Sequence, residues 1–104
     1  MRVLFDQGTP VPLRRELLQH VVTTAHEMKW SELQNGDLLA AAESQFDVLI
    51  TTDKNLRYQQ NLTGRQLAIV VLPYASWPRL LHLLPRIAKA VDSIGPGGFV
   101  ELDP

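Results

Sequence analysis

The sequence predicts an α/β protein built on a mostly parallel sheet with helices on both faces, and three observations carry that expectation. Short runs rich in apolar and β-branched residues, "RVLF", "HVVTTA", "DVLITT" and "LAIVVL", alternate with stretches of helical spacing. The last two runs are apolar almost throughout, which suits strands covered on both faces. Strands alternating with helices are the pattern of crossover-connected parallel sheets. At 104 residues, the chain is one domain, residues 1–104, able to bury roughly two-thirds of its unfolded surface in one core.

The elements follow in order. "RVLFD" reads as a strand stopping at Asp6, and "GTPVP" breaks the chain. From Pro12, "PLRRELLQH" puts Leu13, Leu17 and Leu18 on one side and Arg14, Arg15 and Glu16 on another, a short amphipathic helix with proline in its first turn. "HVVTTA" is a second strand, with an irregular connection through "HEMKWSELQ". Asn35 then caps a helix with Asp37 in its first turn, running through "LLAAAESQF" to Ser44 or Gln45. The strand "DVLITT", the polar loop "DKNLRYQQNLTGRQ" and the strand "LAIVVL" follow, ended by Pro73. Ser76 or Trp77 opens a helical segment with Leu80, Leu84, Ile87, Ala88 and Val91 at helical spacing, and Pro85 should kink or split it. "GPGG" ends that segment, and "FVEL" is a last edge strand.

Composition narrows the function classes. Hydrophobic residues are 45% and charged residues 20% of the chain, the balance of a globular domain rather than a disordered or membrane protein. No apolar run approaches the ~20 residues of a spanning helix, and "MRVLFDQGTP" lacks the apolar stretch of a signal peptide, so the expectation is a cytoplasmic protein with no membrane partner. The absence of cysteine excludes disulfides, thiolate metal sites and thiol nucleophiles. A net charge of −1 makes any nucleic-acid contact a local matter of a few basic side chains.

In parallel sheets, functional groups collect beyond the carboxyl ends of the strands. Asp6 and Asp53 each follow a strand, and Asp37 opens the helix leading into the second of them, near the same edge if "HVVTTA" also runs parallel. Three carboxylates in one cleft repel one another and are tolerated chiefly around a divalent cation. Oxygen ligands without His or Cys select a hard ion, Mg²⁺ or Mn²⁺, of the kind that activates water for phosphodiester hydrolysis. Acids at strand ends and helix starts equally suit turn and dipole roles, so spacing alone leaves both open.

The segment "NGDLLAAAESQFDVLITTDKNL", residues 35–56, resembles the C-terminal half of a PIN-type nuclease: a helix-starting Asp, an Ala-rich helix, an apolar strand and a T-x-D-x-(D/N)-(F/L) turn. "RVLFDQGTP" resembles the first strand of that family with its metal-binding Asp. The chain is similar, over residues 1 to about 72, to the small stand-alone PIN-like proteins of bacteria, which are often considered toxin components and often encoded beside a small DNA-binding antitoxin. The resemblance implies a three-layer α/β/α sandwich on a four- to five-stranded sheet. It also implies a metal-dependent ribonuclease in which Asp6, Asp37 and Asp53 hold Mg²⁺ or Mn²⁺ and Asn55 orients the ion or its water. The chain departs from the family at Asp6-Gln7-Gly8, where a second acid is usual, and at Asn55, often acidic; Glu32 and Glu43 match the early-helix Glu only loosely. One ion rather than two is therefore expected, and a catalytically degenerate PIN-like module that binds protein or RNA is the alternative.

Lys54, Arg57 and Tyr58 flank the proposed site and offer cations and a stacking ring for single-stranded RNA, and Arg14 could reach its backbone. Each is equally at home on a solvated surface. His20, His26 and His82 share no metal spacing; His20 reads as a helix end, and His26 could line the cleft. Trp77 and the Leu-rich helix "WPRLLHLLPRIAKAV" carry more apolar groups than one face needs, which suits a homodimer or an antitoxin interface. A receiver-like phosphoacceptor would also use strand-end acids, but its paired acids and late lysine are not matched.

Overall fold

Successive residues of a strand face opposite sides of a sheet, and the core divides accordingly. The computed structural model covers residues 1–104 and contains five strands: β1 (Arg2–Phe5), β2 (Val21–Thr24), β3 (Val48–Thr51), β4 (Ala68–Val71) and β5 (Phe99–Glu101). All pair in parallel, in the order β2-β1-β3-β4-β5. The expectation of a parallel sheet holds, including for β2, whose direction decided where Asp37 could lie.

On one face, Val3, Phe5, Val48, Ile50, Ala68 and Val70 join Leu13 and Leu17 with Leu80, Leu83, Ile87 and Val91 of the C-terminal helices. On the other, Leu4, Leu49, Ile69 and Val71 pack against Leu38, Leu39 and Ala42 of helix α1 (Asn35–Glu43) and Leu56 of α2 (Leu56–Gln59). β3 and β4 are buried at every residue, as their continuous apolar sequences require.

Several elements differ from the sequence reading. The stretch after β1 forms a 3₁₀ segment, Val11–Glu16, rather than an α-helix. Leu13 N–H bonds back to Pro10 and Leu17 N–H to Arg14, each three residues earlier and each at 3.2 Å. Leu13 and Leu17 are buried as expected, but Leu18 is 85% exposed. Asn35 is the first residue of α1, preceded by Gln34 at the cap position without a side-chain cap bond. The loop after β3 contains the single-turn α2, where Leu56 drops into the core. Pro85 splits the C-terminal segment into α3 (Trp77–Leu80), a 3₁₀ turn (Leu81–Leu83) and α4 (Leu84–Ser93), and it occupies the first turn of α4, where its missing N–H breaks no bond.

The topology fixes the region of interest. From β1 the chain moves outward to β2, then returns past β1 to β3, so its winding reverses between β1 and β3. At such a switch point the flanking loops part and leave a crevice beyond the carboxyl ends of the two strands. Asp6 and Asp53 follow these two strands.

Candidate functional site

Asp6 leaves β1 with its N–H still bonded to the Ile50 carbonyl of β3 at 3.1 Å, which anchors the residue to the neighbouring strand. Its carboxylate gathers neutral donors. Oδ1 accepts the Gly8 N–H at 3.2 Å and lies 2.7 Å from the Thr9 hydroxyl, while Oδ2 accepts the hydroxyl of Thr51. Thr9 and Thr51 are both buried, so these donors are held in place by the core beneath them. The Thr9 hydroxyl is also 2.8 Å from the Ile50 carbonyl, and its single proton serves one acceptor at a time. No cationic side chain hydrogen-bonds Asp6, and its side chain is only partly buried.

Asp53 is tied to the same point. Its N–H donates to Thr51 Oγ1 at 3.1 Å, so one hydroxyl joins the main chain at Asp53 to the carboxylate of Asp6. Asp53 Oδ1 accepts the Asn55 N–H at 3.0 Å, closing an Asx turn. Oδ2 accepts the Asn35 side-chain amide at 2.7 Å. The same amide lies 3.4 Å from Gln59 Oε1, and a Cβ on Gly36 would stand 3.1 Å from Gln60 Oε1. The start of α1, the end of β3 and α2 thus close on one another around Asp53.

Gly8 fits a close approach between the two strand ends. A Cβ there would lie 2.6 Å from Thr52 Oγ1, so any larger residue at this position forces the Thr52 side chain or the turn after Asp6 to shift.

The structure does not assemble all the residues that the sequence nominated. Asp37 lies in the first turn of α1 and is exposed, and no three carboxylate or imidazole groups converge closely enough to hold an ion. Asn55 contributes its main chain to the Asp53 turn and is otherwise exposed. Glu43, loosely matched to a family acid, instead accepts the N–H groups of Gln66 at 2.6 Å and Leu67 at 3.3 Å and so braces the entry to β4, at the opposite edge of the sheet. Lys54 is exposed beside the site. Arg57 stacks between two rings, with its guanidinium carbon 5.2 Å from the Tyr58 centroid and 5.4 Å from that of Phe99 in β5. Tyr58 is 76% exposed.

Beside Asp6 opens a cleft of about 390 Å³ whose lining includes Gln7, Thr9, Arg14, His26 and Glu27. His26 lines it, as the sequence suggested. Arg14 is not free there: its guanidinium makes a two-point pair with Glu27, one arm at 3.4 Å, and its Nε is buried without a partner. Glu27 also accepts the Thr24 N–H at 2.9 Å, while the Thr24 hydroxyl accepts the Glu27 N–H at 3.1 Å. The Thr24 N–H, followed by the Arg14 guanidinium, holds the Glu27 carboxyl below the usual carboxylate range. This reciprocal pair has the bonding of a capping box but closes a turn rather than a helix, and its T-x-x-E spacing is present in "TAHE". His20 is not a helix end; its Nε2 lies 2.6 Å from Asp92 Oδ1 of α4.

Thr51, Thr9 and Asn35 were not singled out as site residues. The T-x-D spacing at Thr51 was visible, but its bond to Asp6 depends on the β1–β3 register, in which Phe5 pairs with Ile50. No protein-family model, curated protein or solved structure matches the chain.

Proposed function

We propose that the chain is a PIN-like ribonuclease dependent on Mg²⁺ or Mn²⁺, with the phosphodiester of an RNA strand as substrate, and that it is the toxin half of a pair with a small DNA-binding antitoxin. The observation that supports this most is the pairing of Asp6 and Asp53 across the switch point through the single Thr51 hydroxyl. The donor set fits a hard cation: two half-buried carboxylates with the hydroxyls of Thr9 and Thr51 beside Asp6, and no sulfur ligand. Mg²⁺ is commonly held by one or two carboxylates, with waters and substrate phosphate completing its shell, so two acids suffice.

A bound ion supplies polarisation of the phosphoryl oxygens and a more acidic water. The residues of the chain supply placement. Thr51, Thr9 and the Gly8 N–H fix the direction of the Asp6 carboxylate, and Asn35 with the Asn55 N–H fixes that of Asp53. Preorganised acceptors of this kind need no rearrangement when charge arrives. Asp37 and Asn55 act from the outer side of the site, and Lys54 is the free cation nearest in sequence for a phosphate. Arg57 and Tyr58 form a stacked pair over which a base can lie.

The failure of any three acids to converge favours a second reading, in which the same fold binds RNA or protein without cutting it. Incubation of the purified chain with a mixed RNA pool, with Mg²⁺ or with chelator, separates the two. The nuclease reading expects cleavage that needs the ion and is lost in Asp6→Asn. Retention of RNA on the protein without cleavage, in a folded sample with Mg²⁺ or Mn²⁺, supports the binding module instead.

A further inference from the structure

A second surface, which shares no residue with the carboxylate site, lies between α4 and β5. It is a groove of about 430 Å³ with a floor of Ala90, Ile94, Val100 and Leu102 and with Arg86 and Lys89 on its rim. Both cations are exposed, and neither forms a hydrogen bond or an ion pair within the chain. The floor residues are only partly buried; Ile94 and Leu102 rest on the main core, so the groove is backed by fixed structure.

β5 is the last strand of the sheet, and its outer edge is uncovered. Its inward bonds include Gly98 C=O to the Ile69 N–H at 2.9 Å and Leu102 N–H to the Val71 C=O at 2.9 Å. In a parallel ladder, alternate residues serve one neighbour, so the N–H and C=O groups of Phe99 and Glu101 point away from the sheet. The opposite edge is blunted: the outward N–H of Thr24 in β2 is already taken by the Glu27 carboxylate at 2.9 Å. Open main-chain groups, an apolar floor and two unpaired cations therefore coincide at β5.

We propose that this groove binds an extended segment of another protein by strand addition to β5, in which every second side chain faces the groove, apolar ones over the floor and acidic ones where the segment passes Arg86 and Lys89. Main-chain bonds to Phe99 and Glu101 provide affinity, and the rim charges select the sequence. Charge also argues against a second copy of this chain. Antiparallel pairing of two β5 edges would place both α4 helices on the same face, with Arg86 and Lys89 of each copy opposed, and would set Glu101 near its equivalent. Acidic side chains on the groove face meet Arg86 and Lys89 and lie across the sheet from Glu101, whereas a second copy opposes like charges on both faces.

The test uses the ¹⁵N-labelled full chain and three synthetic heptapeptides with both residue types on one strand face: Val-Thr-Glu-Thr-Val-Thr-Glu (the Val/Glu peptide), the same with Lys in place of Glu (the Val/Lys peptide), and the Val/Glu peptide N-methylated at every second residue on its bonding edge. The expected result is saturable shifts confined to Arg86–Ile94 and Phe99–Leu102 with the Val/Glu peptide only. In Arg86→Glu/Lys89→Glu, whose changes lie on an exposed helix face, affinity for that peptide should fall about tenfold and the Val/Lys peptide should gain binding. The proposal is overturned if the Val/Glu peptide produces no shifts in this region. Equal binding of the acidic and basic peptides overturns it, as does unchanged affinity of the N-methylated one. Concentration-dependent dimerisation that the double variant abolishes would assign the groove to a second copy and also overturn it.

Discussion

The Thr51 hydroxyl donates to Oδ2 of Asp6 across the boundary between β1 and β3, and the same oxygen accepts the Asp53 N–H at 3.1 Å. Thr51 is buried, with 2% of its surface exposed, so neither bond is readily replaced by water. Thr51→Val keeps the shape but leaves the Asp53 N–H without its acceptor and Asp6 without a donor. A loss of about 1–3 kcal/mol in urea unfolding is expected, together with reduced RNA cleavage. Thr51→Ser, which restores the hydroxyl, should recover the cleavage more fully than the stability.

Gly8 and Thr52 form a steric pair at the mouth of the site. Gly8→Ala pushes a methyl to 2.6 Å from Thr52 Oγ1, and the expected cost is about 1–3 kcal/mol by thermal or urea unfolding. Thr52→Ala removes the obstructing hydroxyl, so the double variant should regain most of that loss, a coupling that a double-mutant cycle measures directly.

Asn35 holds Oδ2 of Asp53 from the start of α1. Asn35→Ala should lower stability by about 1–2 kcal/mol, since the lost bond is to a charged group that stays partly exposed. Because the Asp53 carboxylate then turns freely, cleavage should fall further than stability alone explains. Unchanged turnover in a folded Asn35→Ala sample would mean that Asp53 needs no such restraint.

Glu27 links stability to pH. Its carboxyl is held below its ordinary value of 4.5 by the Thr24 N–H and the Arg14 guanidinium. A folded-state pKa below the unfolded one gives stability that is fully present above about 4.5 and is lost as pH falls through the lowered folded value. Urea midpoints of the wild type and Glu27→Gln should therefore differ by a constant amount at neutral pH and converge below pH 4.5. The gap should also narrow with salt, because Glu27 is exposed.

Much of the fold was legible because its signals are local. The apolar runs of β3 and β4 required cover on both faces, and Pro85 required a break where α3 gives way to α4. The 3₁₀ segment was missed because Leu13, Leu17 and Leu18 suit an α-helical stripe, whereas the segment bonds three residues back and leaves Leu18 exposed. At the site, the positions of Asp6 and Asp53 could be anticipated from strand ends. The roles of Thr51, Gly8 and Asn35 could not, because each depends on a contact between segments distant in sequence. Asn35 shows the limit most clearly: its residue type suited a cap, yet its amide is engaged by an aspartate eighteen residues away.

The central claim is that Asp6 and Asp53 together hold a divalent ion, and a Mn²⁺ titration of the ¹⁵N-labelled chain, with Mg²⁺ as competitor, tests it most directly. The account predicts saturable broadening at about millimolar Mn²⁺ or below, centred on the amides of Asp6, Gly8 and Thr51 to Lys54 and reversed by Mg²⁺. The broadening should be absent in an Asp53→Asn variant that unfolds like the wild type. Broadening that is identical in Asp53→Asn, or no saturable effect on the folded wild type up to ~10 mM, would contradict it.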